Sequence, residues 1–151
     1  DLPRSRGLGD VYKRQLRAVC NLGIINGYSF TVDCDVLEAD GGTRTASING
    51  AWIALNDTFT KMVNENKLVQ NPLTSKVGAI SVGIVDGEIV ADLDYAKDSN
   101  AEVDLNLVLD EKFEILEIQG TAEGKPFSKD NLDSLFNIAK ECVEEIFKIQ
   151  N

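Results

Sequence analysis

Residues 77–95 read VGAISVGIVDGEIVADLDY. Val77 to Val85 form a mostly apolar run, which predicts a strand. Asp86-Gly87 is the strongest hairpin signal in the chain. Glu88 to Tyr95 is expected to return as the partner strand. Working outward, Val103 to Leu109 and Phe113 to Gln119 form a second expected hairpin through Asp110-Glu111-Lys112, and Gly120 to Pro126 reads as a loop. Ser128 can cap a closing helix, with Asp130 favourable in its first turn. Leu132, Leu135, Phe136, Ala139, Cys142, Val143, Ile146 and Phe147 give that helix its apolar face.

Upstream, Asp40-Gly41-Gly42 is a turn, and a long helix is predicted from about Thr43 to Asn66. Ile48, Trp52, Leu55, Phe59 and Met62 step along it by four, three, four and three, one continuous apolar stripe. Trp52 therefore reads as a core residue. Asn71-Pro72 marks a loop. Ser29 to Ala39 alternates, with Phe30, Val32, Cys34 and Val36 on one side and Thr31, Asp33 and Asp35 on the other, the pattern of a half-buried strand. Leu16 to Leu22 reads as the end of a helix broken by Gly23 and Gly27. The order is strand, helix, four strands, helix. This predicts an α+β fold, a mixed sheet with helices packed on one face, in one domain.

Composition narrows the chemistry. The chain has 151 residues, 43% of them apolar, which suits a globular domain and not a disordered one. No apolar run approaches the roughly 18 residues of a membrane span, and no signal peptide is read at the N-terminus, so the expectation is a cytoplasmic protein with no membrane partner. Cys20, Cys34 and Cys142 are odd in number and far apart, which supports neither a disulfide frame nor a zinc ribbon. There is no histidine. Catalytic triads, Cys-His dyads and His-bound zinc are excluded. Any metal would be a hard cation on oxygen ligands, magnesium or manganese. Fifteen basic and 25 acidic residues give a net charge of −10, which argues against a broad nucleic-acid-binding face.

Residues 1–15, DLPRSRGLGDVYKRQ, stand apart. They are basic, show no helical or alternating periodicity, and resemble translated sequencing adapter. They are expected to be a foreign head, with the domain proper running from 16 to 151 and its upstream part lost.

The stretch from Asp33 to Ser47 carries the most chemistry. A strand ends, two glycines turn the backbone, and a helix opens with unpaired amides at its positive end. Thr43 and Thr45 offer hydroxyls, and Arg44 offers a forked cation suited to phosphate. From the residues alone, a phosphate site and a plain helix start remain equally open. It is not a Walker loop, because the spacing is absent; Gly120 to Lys125 also lacks it, and Pro126 stands where a hydroxyl is required. A second constellation places Asp92, Asp94, Asp98, Glu102 and Asp104 within 13 residues, which is costly unless the acids are solvated or hold a cation.

Three strings, VDCDVLEADGGTRTASINGAW (32–52), SVGIVDGEIVADLDYAKDSNAEVDLNLVL (81–109) and EIQGTAEGKPFS (117–128), strongly resemble the ribonuclease PH family in order and spacing. The resemblance runs from about Leu16 to the end. It implies a ribonuclease PH-like fold, of the ribosomal protein S5 domain 2-like kind, incomplete at the N-terminus. It implies a phosphate-dependent 3′-to-5′ exoribonuclease that trims precursor tRNA, releases nucleoside diphosphates and also runs in reverse as a nucleotidyltransferase. By the same resemblance Gly42, Thr43 and Arg44 hold the attacking inorganic phosphate. Asp98 and Asp104 are the catalytic and metal-binding acids, with Asp92 and Glu102 weaker candidates. Magnesium or manganese is the implied cation, RNA the partner, and a homo-hexameric ring the assembly. The family's second phosphate-binding arginine has no match; Arg4 lies near its place by counting, but its flanks differ. The polypeptide as written is expected to aggregate and to be inactive alone. The alternatives are a catalytically silent ring subunit of an exosome-like complex, an inactive fragment, and a small-molecule phosphotransferase, for which no glycine loop is found.

Overall fold

The computed structural model describes residues 11–150. The elements run α1 (Val11–Ala18), α2 (Thr43–Asn64), β1 (Val77–Val85), β2 (Glu88–Ala91), α3 (Tyr95–Asp98), β3 (Val103–Asp110), β4 (Ile115–Ala122) and α4 (Lys129–Ile149). The first ten residues of the expected head lie outside the described residues. Its last five belong to α1, which runs across the expected boundary at Gln15 and buries Gln15 and Leu16, with Val19 buried just beyond its end. The helix thus starts earlier than the sequence pattern suggested and ends at Ala18, after which Cys20 bridges to Leu73.

The four strands form one sheet in the order β2-β1-β3-β4, every pair antiparallel. The expected mixed sheet is therefore corrected to an antiparallel one among the described residues. The segment around Ser29 to Ala39 is the reason for the difference. Phe30, Val32 and Cys34 are half-buried and Thr31, Asp33 and Asp35 are exposed, as the alternation required, but Val36, expected on the covered side, is exposed, and among the described residues the segment belongs to no strand. Val32 and Cys34 pack instead against the α1–α2 cluster.

Helices cover both faces of the sheet, not one. Ile80, Val82 and Ile84 of β1 and the odd positions of β3 from Val103 to Leu109 meet Leu135, Ala139 and Val143 of α4. On the other face Val77, Ala79 and Val108 meet Leu16, Val19, Ile48, Ala51 and Trp52. Every residue of β1 from Val77 to Ile84 is buried as a result. At Gly78 the approach of α4 is so close that a Cβ would lie 2.6 Å from Val143 Cγ1, so only glycine fits. Trp52 is core, as read, and its Nε1 donates to Ser75 O at 3.0 Å.

Local backbone sets the strand ends. Asp86 and Gly87 both take positive φ, 53° and 78°, the primed turn that suits a two-residue hairpin. β2 stops at Ala91, short of the predicted Tyr95, because Asp92 is left-handed at φ 55°. β4 starts at Ile115 because Phe113 is left-handed at φ 61° in a turn held by Asp110 Oδ1, which accepts from Lys112 N and Glu114 N. β4 then runs on to Ala122, through what had read as a loop, pairing with β3 as far as Val103↔Ala122. α4 opens with a full capping box at Ser128 and Asn131.

Because β2 is short, much of the outer edge of β1 has no partner strand among the described residues. Side chains replace it. Asn49 donates Nδ2 to Ala79 O at 2.9 Å and accepts from Ala79 N at 2.8 Å. Gln150 Nε2 donates to Val77 O at 2.8 Å, and the Asp92 amide donates to Ser81 O at 2.8 Å. These bonds satisfy both main-chain groups of Ala79 and the carbonyls of Val77 and Ser81, and the Asn49 pair fixes α2 in register against the edge. Replacing Asn49 with leucine strips two buried main-chain groups of their partner. Equilibrium urea unfolding should show a loss of about 2–4 kcal/mol, with Asn49→Asp, which keeps the acceptor only, falling between; an unchanged midpoint would contradict this account of the edge.

Candidate functional site

The site begins at the turn before α2. Gly41 and Gly42 both adopt left-handed backbone, φ 85° and 62°, which only glycine takes without cost. Gly42 is the N-cap of α2 and offers no side-chain cap. The first helical bond runs from Ala46 N to Gly42 O, so the amides of Thr43, Arg44 and Thr45 precede the intrahelical ladder. The positive end of a 22-residue helix is thus presented without a built-in anion.

The turn is tied to the acidic segment. A Cβ on Gly41 would collide with the Leu93 carbonyl oxygen. Asp40 Oδ1 accepts from Tyr95 N at 3.2 Å. Ser81, the buried hydroxyl of β1, accepts from Leu93 N at 3.1 Å. Asp94 caps the short helix α3 by accepting from Lys97 N, and its other oxygen pairs with Lys97 Nζ at 2.8 Å. Lys97 is raised by that pairing, Asp94 lowered by it. Both face solvent, so the lysine balances local charge and is not aimed at the cleft.

These ties close a small cleft of about 120 Å³, lined by Gly42, Thr43, Arg44, Ser81, Leu93, Asp98, Asp104 and Asn106. All five leading candidates from the sequence therefore meet in one place. The weaker pair does not join them. Glu102 points to the hairpin, where its Oε1 accepts from Gly87 N at 2.9 Å. Asp92 stands beside the turn, its Oδ1 3.8 Å from where a Gly42 Cβ would be, outside the lining set. Thr45 is also corrected: its hydroxyl is buried and donates to Gly42 O at 2.9 Å, so Thr43 is the hydroxyl on the cleft.

Sequence reasoning missed Ser81, Asn106 and Glu117. β3 alternates, so Asp104 and Asn106 share one face while Val103, Leu105 and Leu107 share the other; that signal could have found Asn106. The register Ser81↔Asn106 and Gly83↔Asp104 then brings Ser81 alongside. Glu117 on β4 forms an ion pair with Arg44 Nη2. The other terminal nitrogen, Nη1, is buried and has no hydrogen-bond partner among the described residues.

Asp104 is the perturbed acid. Burial pushes its carboxyl up, and the charges of Asp98 and Glu123 push it further. The donors facing the cleft, two carboxylates and the Asn106 amide, are oxygen-bearing and suit a hard cation completed by substrate oxygens. No group of three or more His, Cys, Asp or Glu side chains suited to a metal occurs among the described residues. The three cysteines are free and half-buried. No helix among the described residues is long and apolar enough to cross a membrane.

Residues 76–142 match the sequence model of the 3′ exoribonuclease family, domain 2. Among solved structures the chain is similar to Rrp46 of rice (Oryza sativa), at 18% identity and a TM-score of 0.65, over 93% of this chain and 61% of that one. It is similar to a chain of the Archaeoglobus fulgidus exosome, a complex solved with RNA bound to its active site, at 18% identity and 0.62, over 76% and 46%. An archaeal exosome core chain matches at 16% identity and 0.70, over 95% and 62%. At these identities the likeness establishes the fold. The chain spans less than two thirds of the length of each of these structures.

Because the folded state raises the Asp104 carboxyl, stability is intact below the unfolded value of about 3.9 and declines as pH rises through the higher folded value. Asp104→Asn removes that decline. Its melting temperature should exceed that of the parent at pH 7, and the gap should close below about pH 4. Thermal melts across that range check this; a variant less stable than the parent at neutral pH would refute it.

Proposed function

We propose that this chain, a member of the ribonuclease PH family, contributes the phosphate-binding and acidic halves of a phosphorolytic 3′-to-5′ exoribonuclease site. One observation carries the reading: an uncapped helix start with its arginine and a pair of close carboxylates, more than 50 residues apart in sequence, line one cleft.

Inorganic phosphate is the co-substrate. It rests on the first amides of α2, the Thr43 hydroxyl and the Arg44 guanidinium, where helix dipole and charge both favour it. From there one phosphate oxygen attacks the last phosphodiester of the RNA. The bond between that phosphorus and the 3′ oxygen of the preceding nucleotide breaks, the departing oxygen takes a proton, and a nucleoside diphosphate leaves. Asp98 and Asp104 face the departing oxygen. Their mutual repulsion favours the pair sharing a proton or a cation, which suits either a proton donor or a charge-stabilising role. Magnesium or manganese, when bound by Asp98 and Asp104, supplies positive charge against the developing alkoxide. The protein's own contribution is chiefly position and preorganised charge.

The substrate class is RNA with a free 3′ end, precursor tRNA first, processed in the cytoplasm by a homo-hexameric ring. A silent ring subunit of an exosome-like complex is the second reading, since the matching folds include exosome chains. The intact arginine motif and acid pair favour the active reading over it.

The test uses the protein completed to the length of the matching folds and a precursor tRNA labelled at its 3′ end. Labelled nucleoside diphosphate should appear only when inorganic phosphate is supplied. Arg44→Ala should lower its rate by about 100-fold or more with the melting curve unchanged. Phosphate-independent release of nucleoside monophosphate, or a normal rate in Arg44→Ala, would overturn the proposal.

A further inference from the structure

We infer that Glu117 is the affinity-setting residue of the anion site, an internal counter-anion that keeps Arg44 aimed while holding its grip on phosphate weak. The inference rests on the reading of Gly42, Thr43 and Arg44 as a phosphate cradle and adds a residue that the acidic motif does not contain.

The geometry is specific. Arg44 leaves the first turn of α2, lines the cleft and donates Nη2 to Glu117 Oε1. Glu117 comes from β4, 73 residues away, where it stands opposite Val108. The register Val108↔Glu117, Asn106↔Gln119 and Asp104↔Thr121 puts Glu117 on the same sheet face as the cleft residues of β3. Both side chains of the pair are only about one-fifth exposed, 22% and 20%, so the pair is partly shielded from solvent.

Two consequences follow from the chemistry. Arginine keeps its proton in any protein environment, so Glu117 cannot switch the cation off. It can only occupy part of the donor fork and set the local charge. An arriving phosphate must share a guanidinium already neutralised by a carboxylate, and it meets the repulsion of that carboxylate at short range. The same bond holds the guanidinium plane where the helix amides can act with it. Glu117 thus trades affinity for orientation. For a co-substrate that is consumed in every cycle, tight ground-state binding brings no gain in rate, whereas orientation does.

Charge and anchoring are separable by substitution. Glu117→Gln keeps an acceptor oxygen for Nη2 and removes the charge. Glu117→Asp keeps the charge. Binding of inorganic phosphate to the 151-residue chain would be followed by phosphorus NMR at fixed ionic strength, with melting curves for each variant. Glu117→Gln should bind phosphate about three- to tenfold more tightly than the parent, Glu117→Asp should bind no more tightly than it, and Arg44→Ala should not bind. Unchanged or weaker binding by Glu117→Gln, or equal tightening in Glu117→Gln and Glu117→Asp, while Arg44→Ala still abolishes binding, overturns this inference and leaves the cradle standing. A parent that shows no saturable binding, or an Arg44→Ala that binds as well as the parent, removes the cradle and this inference with it.

Discussion

The site depends on one main-chain contact, the approach of Gly41 to Leu93 and Asp94. The two backbones come so close that no side chain fits between them. Two positive-φ glycines in succession let the chain make that approach and still enter a helix one residue later. The helix start is thereby fixed against the exit of β2, and Asp40, bonded to the Tyr95 amide, closes the junction from outside. Arg44 and Asp98 reach a common cleft because this contact joins their segments. Neither would find the other through packing of α2 alone, since the buried stripe of that helix faces the sheet further along its length.

The other half of the site is rigid for a different reason. β3 is an interior strand, bonded on one side to β1 and on the other to β4. Asp104 and Asn106 project from it at fixed spacing, with their positions over-determined by two ladders and by the cores on both faces. The helix side is locked to the same sheet through Asn49 and the edge of β1. The helix start with Arg44 and the acidic groups thus stand on elements that share one hydrogen-bonded frame, which is the arrangement that holds side chains at fixed relative positions. Asp98, on the exposed four-residue α3, is the member with the least support.

What was legible in the sequence was local. The Asp86-Gly87 hairpin, the stripe of α2, the buried face of α4 and the Ser128 cap all depend on residues within a turn or two of one another, and all were read correctly. The Ser29 to Ala39 segment shows the limit. Alternation reports which side chains are covered, not whether a strand lies alongside, and the covered side chains here meet helices. The apolar run of β1 likewise signalled cover without saying from how many sides. At the site, the glycine turn, Arg44 and the two aspartates were named from motif, and the fold brings them together. Ser81 and Glu117 were not, because each arrives through strand register across long sequence separation, which no local pattern encodes. Thr45 was assigned a donor role it does not have, since a hydroxyl in the first helical turn can satisfy its own backbone instead.

Charge explains why the two halves must act together. The lining of the cleft carries one cation, Arg44, already paired with Glu117, against the carboxylates of Asp98 and Asp104. In a chain of net charge −10 there is no surplus of positive field to draw in a phosphate. The amides of α2 provide partial charge, but the two aspartates repel the same ion across a cleft of about 120 Å³. Burial already raises the Asp104 carboxyl, and the charges of Asp98 and Glu123 add to that before any ligand arrives. An anion at the start of α2 would push Asp104 further toward taking up a proton, and neutralising Asp104 would strengthen anion binding by the same free energy, because coupling between two bound species is reciprocal. In the proposed reaction, the attacking group and the positive charge needed by the departing oxygen would then be assembled by one electrostatic condition. That follows from the two halves lining one cleft and needs no moving part.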